Sequence, residues 1–220
     1  MITAPSPVVS QTDESTKVVA QSLEESASAQ EKISERIQGH AKSFVDTMNP
    51  HLQRSANLQA EFDNGIKQLK VACQAKGDRA PVPLSLKGIA LDQLNARQVQ
   101  SKRLSSRLEN QKKLVETQAS RYCGLLLRPS KRSESLCRDA NTLTQFGRII
   151  ETSLQTQAGF LVDREKSLNE LRTVAICLSP ARMAALDQLL KQEIDQLDLA
   201  IEIEIVKAIE TVDRFTQNLR

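Results

Sequence analysis

The sequence has few of the residues that a chain of many short elements needs. Among its 220 residues there are seven glycines, seven prolines, five phenylalanines, one tyrosine and no tryptophan. A β-sandwich, a barrel or a doubly wound fold requires a turn roughly every 8–15 residues. The composition therefore excludes those folds and favours long helices. The shortage of aromatic rings also argues against a surface that stacks on sugars or on nucleic-acid bases.

Long apolar runs are missing as well. The best are Gly124–Leu127 and Val174–Leu178, which are far shorter than the ~20 apolar residues of a membrane-spanning helix. We therefore predict no transmembrane segment. The first residues lack a basic stretch followed by an apolar core, so they are not expected to form a signal peptide.

The motifs of common enzymes are absent from the sequence. There is no zinc-protease, serine-hydrolase, phosphate-loop or dinucleotide motif. His40 and His51 would lie about 16 Å apart on a helix, too far to share a metal ion. No two cysteines have the spacing of a zinc or thioredoxin motif. The sequence predicts no catalytic residue, no metal site and no cofactor, and it indicates a non-enzymatic protein.

Apolar periodicity predicts an all-α fold, an elongated antiparallel helical bundle or coiled coil of about four long helices. A flexible lead over residues 1–11 precedes a single domain over 12–220, with helices at about 12–76, 88–127, 133–178 and 180–219. The third helix shows the clearest heptad spacing, which is typical of packed helices that supercoil. Its apolar stripe includes Leu136, Leu143, Ile150, Leu154, Leu161, Leu168 and Leu171.

Polar residues interrupt these stripes. Gln157 and Arg164 occupy stripe positions of the third helix, as residues that set the register of a coiled coil often do. Asn49-Pro50 either kinks the first helix or breaks it and begins a new one. The spacing of Phe44, Met48 and Leu52 on one face favours the kink. Further polar residues lie on the stripes of the first two helices, which are either solvated there or matched by a partner: Ser26, Gln30, Gln98 and Ser101.

The four cysteines lie close to predicted helix ends. Cys123 and Cys137 are each seven residues from Ser130, the centre of the turn between helices two and three, and such residues face each other in an antiparallel hairpin. Cys73 and Cys177 end the first and third helices, which run in the same direction. We predict disulfides Cys123–Cys137 and Cys73–Cys177. The second needs a triangular arrangement or a splayed end, because diagonal helices exceed the ~7 Å reach of a disulfide between Cα atoms.

The cysteine state decides the expected compartment. If the disulfides form, the protein is extracytoplasmic, in the periplasm, on the surface or secreted. If the thiols stay reduced, they are small core residues and the protein is cytoplasmic.

Charge is uneven along the chain. Residues 87–138 carry 12 Lys and Arg against 4 Asp and Glu, whereas residues 139–220 carry 9 against 13. Either the basic helix packs beside an acidic one, or it presents a surface to an acidic partner. The candidate interaction patch comprises Arg97, Lys102, Arg103, Arg107, Lys112, Lys113, Arg121, Arg128, Lys131, Arg132 and Arg138.

These features together favour a non-enzymatic extracytoplasmic helical bundle that acts by protein–protein contact, as an adaptor, a spacer or an accessory component of a surface or secretion system. A protein partner is expected, and the helical stripes also allow self-association. The alternative is an intracellular coiled-coil scaffold or a nucleic-acid-associated protein that uses the basic 97–138 segment, although nucleic acid is the less favoured partner.

Overall fold

The chain forms an all-α bundle, as its periodicity predicts. The computed structural model describes residues 11–76, 89–124, 131–174, 179, 181, 185–186 and 188–219. Every regular element within these residues is helical. The elements are α1 (Gln11–Lys76), α2 (Ile89–Cys123), α3 (Lys131–Val174) and α4 (Asp195–Asn218), with a π-helical turn at Leu189–Ile194 leading directly into α4.

The end of the second helix differs in detail from the expectation. The helix predicted to reach 127 ends at Cys123, and Gly124 follows in a turn. The N–H of Gly124 donates to the carbonyl of Ser120 at 3.1 Å. A Cβ atom at residue 124 would lie only 2.7 Å from that same oxygen, so this tight turn requires glycine.

The first helix continues through its internal proline. Pro50 lies inside α1, which is one helix from Gln11 to Lys76, so the alternative of a new helix at Asn49-Pro50 is wrong. Pro50 is exposed, and the backbone therefore tolerates its missing N–H on the solvent side. Phe44 and Met48 are buried and Leu52 packs against the same cluster, which confirms the common face.

The order of neighbours around the bundle is not the order along the chain. α3 packs against both α1 and α2, and α4 packs against α1, α2 and α3. α1 and α2 lie across the bundle from each other. Side-chain pairs show that α1 and α3 are parallel neighbours, whereas α2 and α3 are antiparallel: Ser34 with Thr142, Gln59 with Ser167, Gln98 with Glu165 and Lys112 with Glu151.

The core consists of two hydrophobic clusters stacked along the bundle axis. The first cluster is built around Phe44, Leu108, Phe146, Ile150 and Ile205. The second is built around Phe62, Ile66, Leu94, Leu161 and Ile194. In each helix a short stretch separates the residues of one cluster from those of the other, and the buried residues in these stretches are polar.

Candidate functional site

Each helix contributes a buried polar residue between the two clusters. These residues are Ser55 in α1, Ser101 in α2, Gln157 in α3 and Asp198 in α4, and the most exposed of them, Ser101, is only 6% exposed. Arg164 of α3 joins them at 2% exposure. We call Ser55, Gln157, Arg164 and Asp198, which are joined by hydrogen bonds, the polar layer.

Arg164 holds the polar layer together. Its Nη1 donates to the carboxylate of Asp198, and its Nη2 donates to Ser55 Oγ at 2.6 Å. Gln157 Nε2 donates to the backbone carbonyl of Asp198 at 3.4 Å. Burial lowers the pKa of Arg164 to about 10, so the guanidinium remains charged at neutral pH. One charged group therefore ties three helices together.

A second polar cluster joins α1 to α3 further along the axis. Gln59 Nε2 donates to Ser167 Oγ and to Asp63 Oδ1, both at 3.0 Å. Ser167 Oγ donates in turn to Asp63 Oδ1 at 2.5 Å. Apolar stripes of heptad period can pair in several registers, but directional bonds such as these are satisfied in only one. This geometry supports a register-setting role for the polar residues.

The inward-facing members of the candidate patch are bonded within the molecule. They extend from α2 toward acidic residues of α3 and α4, so in this part of the patch the basic helix packs beside acidic ones. A hydrogen bond from Lys112 to Glu151 raises the pKa of that lysine. The pairs are Arg97 with Asp195 (3.2 Å) and Glu202 (3.0 Å), Arg107 with Asp213 (3.9 Å) and Lys112 with Glu151 (2.8 Å).

The outward-facing members form an exposed surface. Lys102, Arg103, Lys113 and Arg121 are exposed on α2, and at 100° per residue they fall within about one third of the helix circumference. Val99 and Leu114, which are 49% and 40% exposed, lie on the same side. We call these six residues the basic face. Two of the remaining patch members, Arg132 and Arg138, are exposed near the start of α3. Arg128 and the side chain of Lys131 lie outside the described part of the chain.

One predicted disulfide is confirmed. Cys123 at the end of α2 is bonded to Cys137 in the first turns of α3, with 5.1 Å between their Cα atoms. Cys73 is not a free thiol, but its predicted partner Cys177 lies outside the described residues, so the second bridge stays a prediction. The neighbouring, parallel course of α1 and α3 removes the geometric objection to it, since these helices are not diagonal.

A buried carboxyl follows Cys137 by two residues in the sequence. Asp139 is only 1% exposed, and neither of its carboxyl oxygens has a hydrogen-bond partner. Burial raises its pKa to about 6, although the nearby Arg138 opposes the shift. The described residues contain no group of three or more His, Cys, Asp or Glu side chains placed to hold a metal ion.

Sequence reasoning identified Gln157 and Arg164 but not their partners. The sequence patterns do not single out Asp198, although it is four residues after Ile194 and three before Ile201 and so fits the stripe. That spacing was the available signal. Ser55, three residues after Leu52 and three before Leu58, and Asp139, three after Leu136 and four before Leu143, carry the same signal of spacing.

None of the helices that the structure describes has an apolar stretch long enough to cross a bilayer. Comparison of the chain with models of protein families, with curated proteins and with solved structures finds no match.

Proposed function

We propose that this protein is a non-enzymatic, extracytoplasmic helical bundle that acts by protein–protein contact, and that the basic face of α2 binds an acidic segment of its partner. The observation that carries the proposal is the division of α2 into two sets of cations. The inward set is paired with carboxylates of the same molecule, whereas Lys102, Arg103 and Arg121 form no ion pair within the described residues.

The shape of the basic face favours an extended or helical partner. From Val99 to Arg121 it runs for about 33 Å along α2, since a helix rises 1.5 Å per residue. Two exposed apolar side chains lie among four cations, and an amphipathic helix with acidic flanks complements such a surface. Charge complementarity of this kind speeds association and selects the partner more than it adds affinity.

The use of the buried polar groups supports a non-enzymatic role. Arg164, Asp198 and Ser55 bond to one another across three helices, and Gln59, Asp63 and Ser167 do the same across two. These groups are held by helix packing and bonded to one another, and the cavity that Arg164 and Asp198 line has a volume of only about 30 Å³, which is too small for a substrate.

The disulfide supports an extracytoplasmic location. A bond between Cys123 and Cys137 persists in oxidising compartments and is rare in the cytosol. Mass spectrometry of peptides from the protein of its source cells, alkylated before lysis and digested without reduction, should detect the linked peptide. Recovery of both cysteines as alkylated thiols would overturn this part of the proposal.

Charge reversal tests the binding surface. The variant Lys102→Glu/Arg103→Glu should lose a partner that the wild-type chain captures by cross-linking in its own compartment, and 300 mM salt should weaken the same capture. The matched control is Lys32→Glu/Lys42→Glu, which changes the net charge equally at two exposed lysines of α1 and should retain the partner.

The cross-linked segment of the partner decides the interpretation. An acidic protein segment linked to α2 supports the proposal. Equal loss of capture in both variants means that net charge alone drives binding, and it contradicts a specific basic face. Recovery of DNA or RNA cross-linked to α2 would replace the proposal by the nucleic-acid alternative.

A further inference from the structure

The Cys123–Cys137 disulfide is accessible from solvent. Both cysteines are half-buried rather than buried, and they lie at the end of the bundle where α2 ends and α3 begins. Exchange with a thiol requires a thiolate to reach one of the two sulfurs, and disulfides that remain partly exposed are the ones that exchange. A small thiol can therefore reach this bond in the folded protein.

The two sulfur atoms differ in the charge around them. Cys123 is the last residue of α2, where the negative end of the helix dipole disfavours a thiolate. Cys137 lies in the second turn of α3, toward a helix end of the opposite sign. Residues 131–138 carry three Lys and Arg against one Glu, whereas the last turn of α2 has Arg121 alone as its cation. Because neighbouring positive charge favours the thiolate over the thiol, Cys137 is the better leaving group.

An amide group lies beside both sulfurs and is nearer to that of Cys137. Asn141, one helical turn after Cys137, places its Nδ2 atom 3.6 Å from Cys137 Sγ and 4.0 Å from Cys123 Sγ. An N–H donor stabilises a charged acceptor more than a neutral one. The bond from Asn141 therefore strengthens as negative charge develops on Cys137.

Contacts with the core keep the two cysteines together once the disulfide is open. Tyr122, directly before Cys123, donates its hydroxyl to the carbonyl of Leu219 at 2.7 Å, and Leu219 is buried in the first cluster. On the other helix, Leu136 packs against the same cluster. Both helix ends therefore stay anchored after cleavage, and the bond can form again.

We propose that this disulfide is a site of reversible exchange with a small thiol, in which Cys123 is attacked and Cys137 leaves. The incoming thiolate forms a bond to Cys123 Sγ, the bond between the two cysteine sulfurs breaks, and its electron pair leaves on Cys137 Sγ. The product is a mixed disulfide on Cys123 and a thiolate on Cys137. Attack of that thiolate on Cys123 restores the original bond and releases the small thiol, so the cycle involves no net oxidation.

Peptide mapping tests the direction of attack. The oxidised full chain is treated with glutathione near neutral pH, quenched with acid at early times, alkylated with N-ethylmaleimide and digested with trypsin without reduction. The two cysteines then lie in separate peptides, residues 122–131 and 133–138. We expect glutathione on the first peptide and N-ethylmaleimide on the second. The opposite labelling, equal labelling, or no cleavage until urea unfolds the chain would overturn the proposal.

Replacing the amide tests its role in the leaving step. Asn141→Leu should slow cleavage by glutathione about 2–5-fold, because the departing thiolate loses a hydrogen-bond donor. The matched control Asn64→Leu replaces an exposed asparagine of α1 and should leave the rate unchanged. Loosening of the hairpin would speed cleavage instead, so a purely structural effect is distinguishable. Unchanged or faster cleavage in Asn141→Leu would overturn the proposal.

Discussion

The two halves of the bundle share one helical pattern but hold α1 to α3 by different means. In the first cluster the contact is mainly apolar, with the rings of Phe44 and Phe146 edge to face at 6.0 Å between centroids and a single buried hydroxyl pair, Ser34 with Thr142 at 3.0 Å. Around the second cluster the same two helices are joined by polar bonds, including Gln59 to Ser167 and Lys70 to Glu170 at 2.6 Å. Shape complementarity therefore stabilises the first half, whereas directional bonds add specificity in the second.

The largest expected effect on stability comes from disrupting the polar layer, which lies between the two halves. Arg164→Met leaves the carboxylate of Asp198 buried without its charged partner, which should lower the free energy of unfolding by about 3–5 kcal/mol. Urea denaturation measures it. The control Arg54→Met disrupts an exposed ion pair with Glu193 and should cost no more than about 1 kcal/mol. Equal effects of the two variants would contradict the structural importance of the polar layer.

The next largest effect on stability is expected from removing the Cys123–Cys137 disulfide, which lies at the end of the first half. Cys123→Ser/Cys137→Ser opens the loop of the α2–α3 hairpin and should cost about 2–4 kcal/mol of unfolding free energy. Amide hydrogen exchange should show the loss of protection concentrated at the end of α2 and the start of α3. Loss of protection spread equally over the second half would mean that the halves are not distinct units.

Asp139 is a polar exception within the first half. Because burial raises its pKa to about 6, its stabilising contribution is present below pH ~4 and is lost as the pH rises through 6. Asp139→Asn should leave stability nearly unchanged at pH 4 and raise the unfolding free energy at pH 8, by on the order of 2 kcal/mol. Urea midpoints at pH 4, 6 and 8 measure this, and a difference independent of pH would contradict it.

The smallest expected effect on stability comes from replacing either of two glycines of α3 by alanine. A Cβ at Gly159 would meet nothing within 4 Å, whereas one at Gly147 would lie 3.4 Å from Lys112 Cγ, where α3 packs against α2. Gly159→Ala should therefore raise the melting temperature, through a gain of about 0.5–1 kcal/mol. Gly147→Ala should gain less. The reverse order would show that the α2–α3 interface has more room than the structure indicates.

Local signals in the sequence were enough to predict the helices and one bridge. The heptad stripe through Leu143, Ile150 and Leu161 identified α3, and the equal distances of Cys123 and Cys137 from Ser130 predicted their bond. Each of these signals depends only on the spacing of residues along a helix or about a turn.

The arrangement of the helices could not be predicted in the same way. Heptad stripes are interchangeable, so nothing in them shows that α1 is next to α3 and opposite α2. The π-helical turn at Leu189–Ile194 was missed, because its one extra residue changes the phase between Leu190 and Ile201 without interrupting the apolar pattern. The partners of Arg164 depend on this tertiary arrangement, and they were missed with it.

The neighbour order has a consequence for how the chain is made. α1 leaves the ribosome first, but residues such as Ser34 and Gln59 find their native partners about 108 positions later, in α3. The hairpin of α2 and α3 is closed by residues only 14 apart. Since short loops close faster than long ones, we expect the α2–α3 hairpin to form before α1 packs against α3. Until then, the apolar stripe of α1 should remain uncovered.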